Sequence, residues 1–492
     1  MIAMHIRQLH FHSSLIRPVT RLTGDDAGQY LHTQCLSVSP CRYNEVIMSQ
    51  HTALSPGRTG SSAQPITETR PEEMRRVIFA AMAGSFVEWF EFSVYGYLAL
   101  VMGNVFFAGG SDSTRVIAAF AAFAVAFIAR PFGGLIFGLI GDKFGRKRAL
   151  NLALMLMAVA TFCIGLIPSY QSIGITAPIL LVAMRLLQGL SSGGEISGAS
   201  IFVAECSPDA KRTLHTSWIE VGSMGGFIFG ALLSALLYRA FGTETVTDWA
   251  WRIPFLLAAP LALIGVYIRY KINESPEFIA RKEQVIHAEA QPFREMMRYR
   301  KAMLKSGGLL IGSNIPIFII MTYMPTWLVT TLKLSANQGL MMGILPMCLL
   351  LITIPLFALL ADRTSRKGVM LAGNLGLVVL SVPCFNMLQS GQLPLQLGGL
   401  IILSLCLSMV LSCILSKVPS LFPVQVRFSC MAISYNIAVA LFAGTAPMLN
   451  AWLISITGNP SVPAYYLMVG ALIGSIATFV TRDRTGQPLR RA

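Results

Sequence analysis

Three ionisable side chains interrupt the first two long apolar stretches of the chain. Glu88 and Glu91 lie in the sequence FVEWFEF, and Arg130 lies in ARPFGG at a similar depth of the second stretch. Residues three apart share one face of a helix, and a cation beside two carboxylates leaves one of them available to bind a proton. We therefore expect Arg130 and one glutamate to compensate each other at a buried proton-exchange site. A purely structural ion pair is the alternative.

A polar stripe marks the fourth apolar stretch. Its members recur at intervals of three, four and three residues, namely Arg185, Gln188, Ser192 and Glu195. The arginine and the last glutamate would lie about 15 Å apart along a helix axis, so they do not form a direct pair. We expect the stripe to line a central passage. The same segment carries small residues that let neighbouring helices approach closely, namely Gly189, Gly193, Gly194 and Gly198.

Aromatic side chains accompany these polar groups. An aromatic face can hold a quaternary ammonium ion by cation–π attraction, whereas packing or an interfacial aromatic belt is the alternative. The candidates for substrate contact are Trp89, Tyr95, Trp218, Tyr323 and Tyr435.

The elements that must position these residues are apolar helices. The composition is 54% hydrophobic and 12% charged, against about a quarter charged in soluble proteins. A membrane-spanning helix needs about 20 apolar residues. The sequence therefore predicts an all-α membrane protein with twelve transmembrane helices in two six-helix halves. Their limits are 77–101, 116–140, 149–168, 176–204, 214–238, 251–272, 303–329, 338–361, 369–388, 395–419, 428–452 and 463–482.

The loops between these stretches differ in charge. Alternate loops are rich in lysine and arginine, whereas the opposite ones hold only Arg115, Arg239 and Lys333. The positive-inside rule then predicts that both termini lie in the cytoplasm. We therefore expect a multi-pass protein of the cell (inner) membrane. The same rule accounts for the net charge of +15 without a nucleic-acid partner.

The domain organisation follows from these stretches. We predict a disordered segment over 1–76, with Met48 as a hypothetical true start. A first bundle over 77–272 and a second over 303–482 are separated by a cytoplasmic central loop over 273–302. A short cytoplasmic tail covers 483–492.

Two loops repeat a charged pattern at equivalent places in the halves. GDKFGRK at 141–147 follows the second stretch, and ADRTSRK at 361–367 follows the eighth. Such repetition is typical of a duplicated transporter. The predicted gating residues are Gly141, Asp142, Gly145, Arg146, Lys147, Asp362 and Arg366. Neither loop is a phosphate-binding loop, and no Walker motif, zinc spacing or catalytic nucleophile signature occurs. We expect no metal, no cofactor and no enzyme activity.

Several segments resemble one protein family. GDKFGRK is similar to the signature loop of the major facilitator superfamily. FVEWFEFSVYGYLA, RLLQGLSSGGEISGASIFVAE, WRIPF, NESPEF and FPVQVRFSCMAISYNIAVALFAGTAP resemble its metabolite–proton symporters. The match runs in order from about residue 77 to 482. Within that family, TFCIGLIPSYQSIGITAPILL, TYMPTWL and PAYYLMVG are similar to the bacterial proline/glycine betaine–proton symporters.

The resemblance implies alternating access of two bundles, powered by a proton gradient. It implies that Asp142 and Arg146 latch the halves at the inner face, and that Glu88, Glu91, Arg185 and Glu195 surround the transport path. The chain departs from the pattern at the second of these glutamates, where relatives usually have Asp. It departs again at Ile196, where an aromatic residue is usual, and at Ser365 and Cys430, which replace glycines. Its short tail lacks the heptads of an osmosensing relative.

The first expectation for function is proton symport of a small zwitterionic solute such as proline or glycine betaine. Symport of an organic acid of the 2-oxoglutarate, citrate or shikimate type is the second, because Arg130 and Arg185 could bind two carboxylates. A non-transporting nutrient sensor is the alternative of another class. The expected partners are the solute, protons and the lipid bilayer, and the sequence leaves the oligomeric state open.

Overall fold

The computed structural model describes residues 70–107, 112–270, 292–334 and 336–490. Over these ranges the chain is helical and contains no β-strand. The predicted disordered segment with Met48 lies almost wholly outside the described residues, as do residues 273–291 of the predicted central loop. The remaining part of that loop includes a short helix, Pro292–Arg298.

The first half contains six spans. They are Pro71–Tyr97, Asp112–Phe144, Arg146–Leu166, a fourth span made of Thr176–Ser192 and Glu195–Cys206, Arg212–Thr245, and Arg252–Tyr270. Short helices at Ala99–Phe106 and Tyr170–Ile173 connect some of them, and a π-helical turn at Val246–Ala250 leads into the sixth span.

The second half also contains six spans. They are a seventh span made of Arg300–Ile317, the π-helical turn Phe318–Tyr323 and Met324–Thr330, then Ala336–Arg363, Arg366–Gln389, Leu393–Lys417, an eleventh span of Arg427–Ala438 followed by Val439–Ala443 and Ala446–Thr457, and Val462–Val480. A 3₁₀ turn at Pro419–Leu421 precedes the eleventh span.

The described helices have the dimensions of membrane spans. Eleven segments among them are long and apolar enough to cross a bilayer, and the sixth span is a shorter apolar helix, Arg252–Ile268. Large apolar side chains point outward from the bundle, as at Leu263, Val379 and Phe479, which are 67%, 67% and 70% exposed. Such exposure is stable in lipid rather than in water. The predicted twelve-helix membrane fold is confirmed.

Helix ends differ from the predicted limits where local chemistry favours a longer helix. The first span begins at Pro71 rather than at residue 77, with the proline in its first turn and Glu72 and Glu73 beside it. Proline lacks the amide hydrogen that a first turn leaves unused, and acidic groups interact favourably with the helix N-terminus. The fifth span extends beyond 238 to Thr245, with a kink at Gly242, whose φ is 74°.

Contacts between the halves follow a twofold pattern. The second span packs on the eleventh, and the fifth packs on the eighth and tenth. Within the first half, the second and fourth spans cross closely because a Cβ on Gly189 would lie only 1.9 Å from the Ala126 carbonyl oxygen. The expected close approach at the fourth span's glycines is thus present, and it fixes the rotation of that span.

Candidate functional site

Glu88 and Arg130 form a buried ion pair between the first and second spans. Arg130 Nη2 donates to Glu88 Oε1 at 3.0 Å, and the residues are 2% and 0% exposed. The guanidinium carbon also lies 5.5 Å from the ring centre of Phe92 and 5.9 Å from that of Tyr435. The structure therefore joins the arginine with the first of the two candidate glutamates.

Glu91 belongs to a second network, one turn further along the first span. Its Oε2 accepts hydrogen bonds from Gln188 Nε2 at 2.9 Å and from the Thr161 hydroxyl. Gln188 in turn accepts from Arg185 Nη1 at 2.7 Å, so an amide stands between this carboxylate and its nearest arginine. Thr161 was absent from the sequence candidates because a single threonine in an apolar stretch carries no distinctive signal.

Arg185 is stacked against an aromatic ring. Its guanidinium carbon lies 3.2 Å from the ring centre of Tyr95, whose hydroxyl donates to the Ala119 carbonyl oxygen at 3.0 Å. The arginine is fully buried. The guanidinium group of Arg185 therefore covers one face of the Tyr95 ring.

A small cavity lies between the two halves. Trp89 and Tyr435 contribute aromatic surface, while Glu220, Ser313 and Asn314 contribute polar groups. The rest of the lining is apolar and consists of Ile196, Leu310, Ile317, Leu411, Ile414 and Leu415. None of the described side chains in this lining is a lysine or an arginine.

The polar stripe of the fourth span is not part of the lining of this cavity, and its expected place along a central passage stays a prediction. Arg185, Gln188 and Glu195 are each at most 2% exposed and lie outside the lining. Arg185 and Gln188 instead contact the first, second and third spans, and Ile196 is the residue of this region that lines the cavity. Rotation of a helix about its axis decides this outcome, and spacing alone does not define that rotation.

Glu220 is the functional candidate that sequence reasoning missed. It lies in SWIEVG in the fifth span, is 7% exposed and lines the cavity. A carboxylate within an apolar stretch was the available signal, the same one that singled out Glu88. The carboxylates of Glu220 and Glu88 are close enough to repel each other. A charge in the cavity is therefore felt at the Glu88–Arg130 pair.

The aromatic candidates separate into two groups. Trp89 and Tyr435 line the cavity. Trp218 is 37% exposed, and Tyr323 is buried in the seventh span; neither belongs to the lining. Two of the five predicted aromatic residues therefore line the cavity between the halves.

Two aspartates join the halves at one end of the molecule, which we call the latch face. Asp142 Oδ2 at the end of the second span accepts from Ser429 N at 3.0 Å and from its hydroxyl at 2.6 Å. Asp362 at the end of the eighth span accepts from Thr213 N at 3.1 Å and Leu214 N at 2.9 Å. Each carboxylate thus binds amide groups at the N-terminus of a helix in the opposite half, where a negative charge is favourable.

The glycines of GDKFGRK have separate structural reasons. A Cβ on Gly141 would lie 2.6 Å from the ring of Phe428, so the second span needs a glycine to approach the eleventh. Gly145 has φ of 111°, a conformation that favours glycine, and it starts the third span. Arg146 is the first residue of that span, and its side chain lies outside the described part of the structure.

The lysines of the two repeated loops occupy matching positions. Lys147 Nζ donates to the Tyr270 carbonyl oxygen at 2.8 Å, and Lys367 Nζ donates to the Phe479 carbonyl oxygen at 2.7 Å. Each therefore ties the start of one span to the end of the last span in its own half. The equivalent lysines of the repeat thus make equivalent contacts in the two halves.

Arg366 extends the contact around Asp362. Its Nη2 donates to Asp362 Oδ1 at 3.0 Å and to the Asp209 carbonyl oxygen at 3.0 Å. Its Nε donates to the Thr213 hydroxyl at 2.5 Å. The arginine is 2% exposed, so this link between the halves is well shielded from solvent.

The C-terminal tail crosses the latch face. Arg366 N donates to Thr485 Oγ1 at 2.9 Å, and Arg212 Nη1 of the first half donates to the Gln487 carbonyl oxygen at 3.0 Å. Arg427 Nη2 donates to the Arg490 carbonyl oxygen at 2.6 Å. The tail therefore contacts both halves, mainly through its backbone.

A second buried ion pair lies beneath the tail. Arg427 Nη1 donates to Glu205 Oε1 at 2.8 Å, and both side chains are fully buried. The pair joins the end of the fourth span to the start of the eleventh. Glu205 thus has a structural role at the latch face.

Twelve apolar helices in two halves, with a polar cavity between the halves and ionisable groups buried in the spans, define a polytopic membrane transporter. Residues 77–434 match the Major Facilitator Superfamily. The chain belongs to this superfamily and is an integral membrane protein.

Curated relatives extend the match over most of the chain. The proline/betaine transporter of Escherichia coli strain K12 is 40% identical over 429 residues, which cover 85% of this chain and 86% of that protein. The glycine betaine/proline/ectoine/pipecolic acid transporter of Dickeya dadantii is 41% identical over 428 residues, with 85% of each chain covered. These relatives are transporters, not enzymes.

Solved structures share the fold at low sequence identity. A proton:xylose symporter bound to 6-bromo-6-deoxy-D-glucose has a TM-score of 0.71 at 17% identity, covering 85% of this chain and 98% of that one. The human organic anion transporter MFSD10 has a TM-score of 0.57 at 18% identity, covering 83% and 99%. At these identities the likeness concerns the fold alone.

Proposed function

We propose that this protein is a proton symporter of a small zwitterionic solute of the proline or glycine betaine type. The observation that carries the proposal is the cavity lining, in which Trp89 and Tyr435 flank a space that also contains the Glu220 carboxylate. Aromatic faces and a carboxylate attract a substituted ammonium group. The names of the relatives from Escherichia coli and Dickeya dadantii support the same class of solute.

The anionic end of the solute has a separate set of partners. Ser313 and Asn314 line the cavity on the seventh span, and their hydroxyl and amide groups, which donate to the Leu310 carbonyl oxygen in this structure, would rotate to donate to a carboxylate. Arg130 lies behind the Tyr435 ring and attracts a negative charge from a distance. A dicarboxylate would require direct cationic partners, and the described lining offers none.

The two glutamates of the first span have different roles in this proposal. Glu88 is bonded directly to Arg130, which compensates its charge. Glu91 reaches Arg185 only through Gln188, and its Oε1 has no hydrogen-bond partner among the described residues. Glu91 is therefore the better candidate to exchange a proton during the cycle, with Arg185 and Gln188 tuning it.

The latch face is the cytoplasmic face in this proposal. The positive-inside rule supports this orientation, because Lys143, Lys147 and Arg148 lie at this end. Asp142 and Asp362 would hold the halves together here and release them in alternation with the opposite face. The contacts of these carboxylates with helix N-termini of the opposite half support such a role.

Transport by purified protein in proteoliposomes tests the proposal. Labelled proline, glycine betaine and 2-oxoglutarate are offered with and without an inward proton gradient. We expect the two zwitterions to accumulate and the gradient to drive them, with no uptake of 2-oxoglutarate. Uptake of 2-oxoglutarate alone would establish an organic acid carrier, and absence of flux for every solute would favour a sensor.

A matched pair of variants tests the cavity itself. Glu220→Gln should raise the KM for glycine betaine about tenfold, equivalent to roughly 1.4 kcal/mol of lost attraction. Glu244→Gln makes the same change at the exposed end of the same span and should leave the KM unchanged. Equal KM values for the two variants would show that solute does not meet the cavity carboxylate.

A further inference from the structure

A buried amide from the second half contacts both the ion pair and the broken helix of the first half. Asn436, in the eleventh span, is fully buried. Its Oδ1 accepts from Arg130 Nε at 3.1 Å, and its Nδ2 donates to the Gly193 carbonyl oxygen at 2.6 Å. The same nitrogen lies 2.7 Å from the Ala432 carbonyl oxygen of its own helix. One side chain thus uses its donor and its acceptor across the interface between the halves.

The fourth span is interrupted where this contact occurs. One helix ends at Ser192 and the next begins at Glu195, and the carbonyl groups at a helix end lack partners in their own helix. Arg130 Nη2 lies 3.4 Å from the Ser192 carbonyl oxygen, while Asn436 binds the carbonyl oxygen of Gly193. The break therefore provides acceptors for a partner from the second half.

The space around Asn436 is formed by glycines. A Cβ on Gly134 would lie 2.5 Å from Asn436 Nδ2, and a Cβ on Gly193 would lie 2.4 Å from the Arg130 carbonyl oxygen. Side chains at either position would push the spans apart. The second, fourth and eleventh spans meet at this point with no room for a larger group.

The chemistry of the contact requires an amide. A carboxylate could accept from Arg130 but could not donate to Gly193, and a leucine could do neither. Because Arg130 also binds Glu88, which lies one turn from Glu91 on the first span, proton exchange at Glu91 would alter the balance of hydrogen bonds on the arginine. Asn436 is the group of the second half that receives this change.

We propose that Asn436 is a positioning residue that couples the state of the Glu88–Arg130 pair to the packing of the two halves. This inference rests on proton symport as the proposed function. The other ionisable groups around the pair are Glu91 on the first span, Glu220 on the fifth and Tyr435 on the eleventh. The fourth span contributes backbone carbonyl groups to Arg130 and Asn436.

Asn450 provides a matched control on the same span. It is also fully buried, and its Nδ2 donates to the Ala446 carbonyl oxygen at 2.7 Å, the same four-residue bond that Asn436 makes. Substitution of either residue by alanine removes equal volume and an equivalent bond within the helix. Only Asn436→Ala also removes the contacts with Arg130 and Gly193.

The transport test separates exchange from coupled accumulation. Asn436→Ala should retain solute exchange within about twofold, whereas accumulation driven by a proton gradient should fall about tenfold or more, because a hydrogen bond to a charged group is lost. Its uptake should no longer vary with pH. Asn436→Gln should restore part of the accumulation, and Asn450→Ala should behave as the wild type. An equal decline in Asn436→Ala and Asn450→Ala would overturn the inference.

A distance measurement tests the same inference without solute. Spin labels at Arg148→Cys and Arg363→Cys report the separation of the halves at the latch face. The wild type should change its distance distribution between neutral and acid pH, and Asn436→Ala should not. An unchanged response in Asn436→Ala would refute the role of the amide. If the wild type carries no solute tested, the proposed function fails, while this distance response still decides the inference.

Discussion

The two halves of the molecule are alike at the latch face and unlike within the membrane. At the latch face, Asp142 and Asp362 each bind a helix N-terminus of the opposite half, and Lys147 and Lys367 make matching bonds. At mid-span, the described spans of the second half hold neutral amides and hydroxyls. The first half holds all the acids and arginines there, namely Glu88, Glu91, Arg130, Arg185, Glu195 and Glu220.

This difference indicates that gating depends on both halves, whereas proton exchange depends on the first half. Gating needs both halves to separate at one face, so a duplicated chain retains the same contacts in both. Proton exchange needs only one set of ionisable groups, and each charge at the bilayer centre costs about 2.5–3.5 kcal/mol on insertion scales. A single set of ionisable groups limits that cost. The second half can respond to their changes through neutral contacts such as that of Asn436.

The largest expected effect comes from removing a charge from the first half. Arg130→Met leaves Glu88 buried without its partner, which costs about 3–5 kcal/mol, a large part of a typical stability of 5–15 kcal/mol. We expect a strongly lowered Tm in detergent and no measurable uptake. Asn374→Leu, an equally buried but neutral site in the second half, should cost about 1 kcal/mol.

The double variant Glu88→Gln/Arg130→Met sharpens the same comparison. Removal of both charges should recover most of the lost Tm, since no unpaired charge remains buried, while proton-coupled uptake stays absent. A Tm of Arg130→Met equal to that of Asn374→Leu would contradict the assigned importance of the pair.

Equal effects are expected from the two latch carboxylates. Asp142→Asn and Asp362→Asn each weaken an interaction with a helix N-terminus that is typically about 0.5–2 kcal/mol. Each should therefore shift the population with separated halves about twofold to thirtyfold, as measured by spin labels at Arg148→Cys and Arg363→Cys. A large effect from one variant and none from the other would break the symmetry of the latch.

A smaller shift is expected from loss of the tail. A chain that ends after Asp483 lacks the acceptors for Arg212 and Arg427, but both arginines retain acidic partners, Asp209 and Glu205. The separated population should rise by about twofold to fivefold, equivalent to roughly 0.4–1 kcal/mol. A larger shift than that of Asp142→Asn would show that the tail contributes more than Asp142 to holding the halves together at the latch face.

The smallest effect concerns Asp483. Burial raises its pKa, but hydrogen bonds from Ser365 and Thr485 outweigh this and hold the pKa below its usual range. The carboxylate therefore stabilises tail docking above its unfolded pKa of about 3.9, and that contribution is lost as the pH falls through its folded value. Docking in Asp483→Asn should lose this acid dependence, as followed by cleavage of the tail with a protease active at low pH. If the pH dependence of tail cleavage is the same in Asp483→Asn as in the wild type, Asp483 does not contribute to tail docking.

Sequence reasoning succeeded where charge in an apolar stretch or repetition was enough. Such signals predicted the twelve spans, the pairing of Arg130 with a first-span glutamate, and the equivalent loops. It did not predict which neighbours the fourth-span stripe contacts, because that depends on how Gly189 packs on Ala126. Asn436 and Thr161 are neutral polar residues of an ordinary kind, and only contacts across spans distinguish them.

The tail shows a second limit of the same kind. Its contacts with Arg212 and Arg427 use backbone carbonyl groups, which every residue possesses. The residue types in 483–490 therefore do not predict these contacts. Glu220, in contrast, could have been included from the sequence, because its carboxylate interrupts an apolar stretch.

Substrate-dependent proton movement tests the central claim most directly. Proteoliposomes containing a pH-sensitive dye inside are given proline or glycine betaine without a preset gradient. The wild type should acidify the lumen as solute enters, whereas Glu91→Gln should exchange solute with no acidification. Proton entry at the wild-type ratio to solute in Glu91→Gln would contradict the assignment of coupling to the charged groups of the first half.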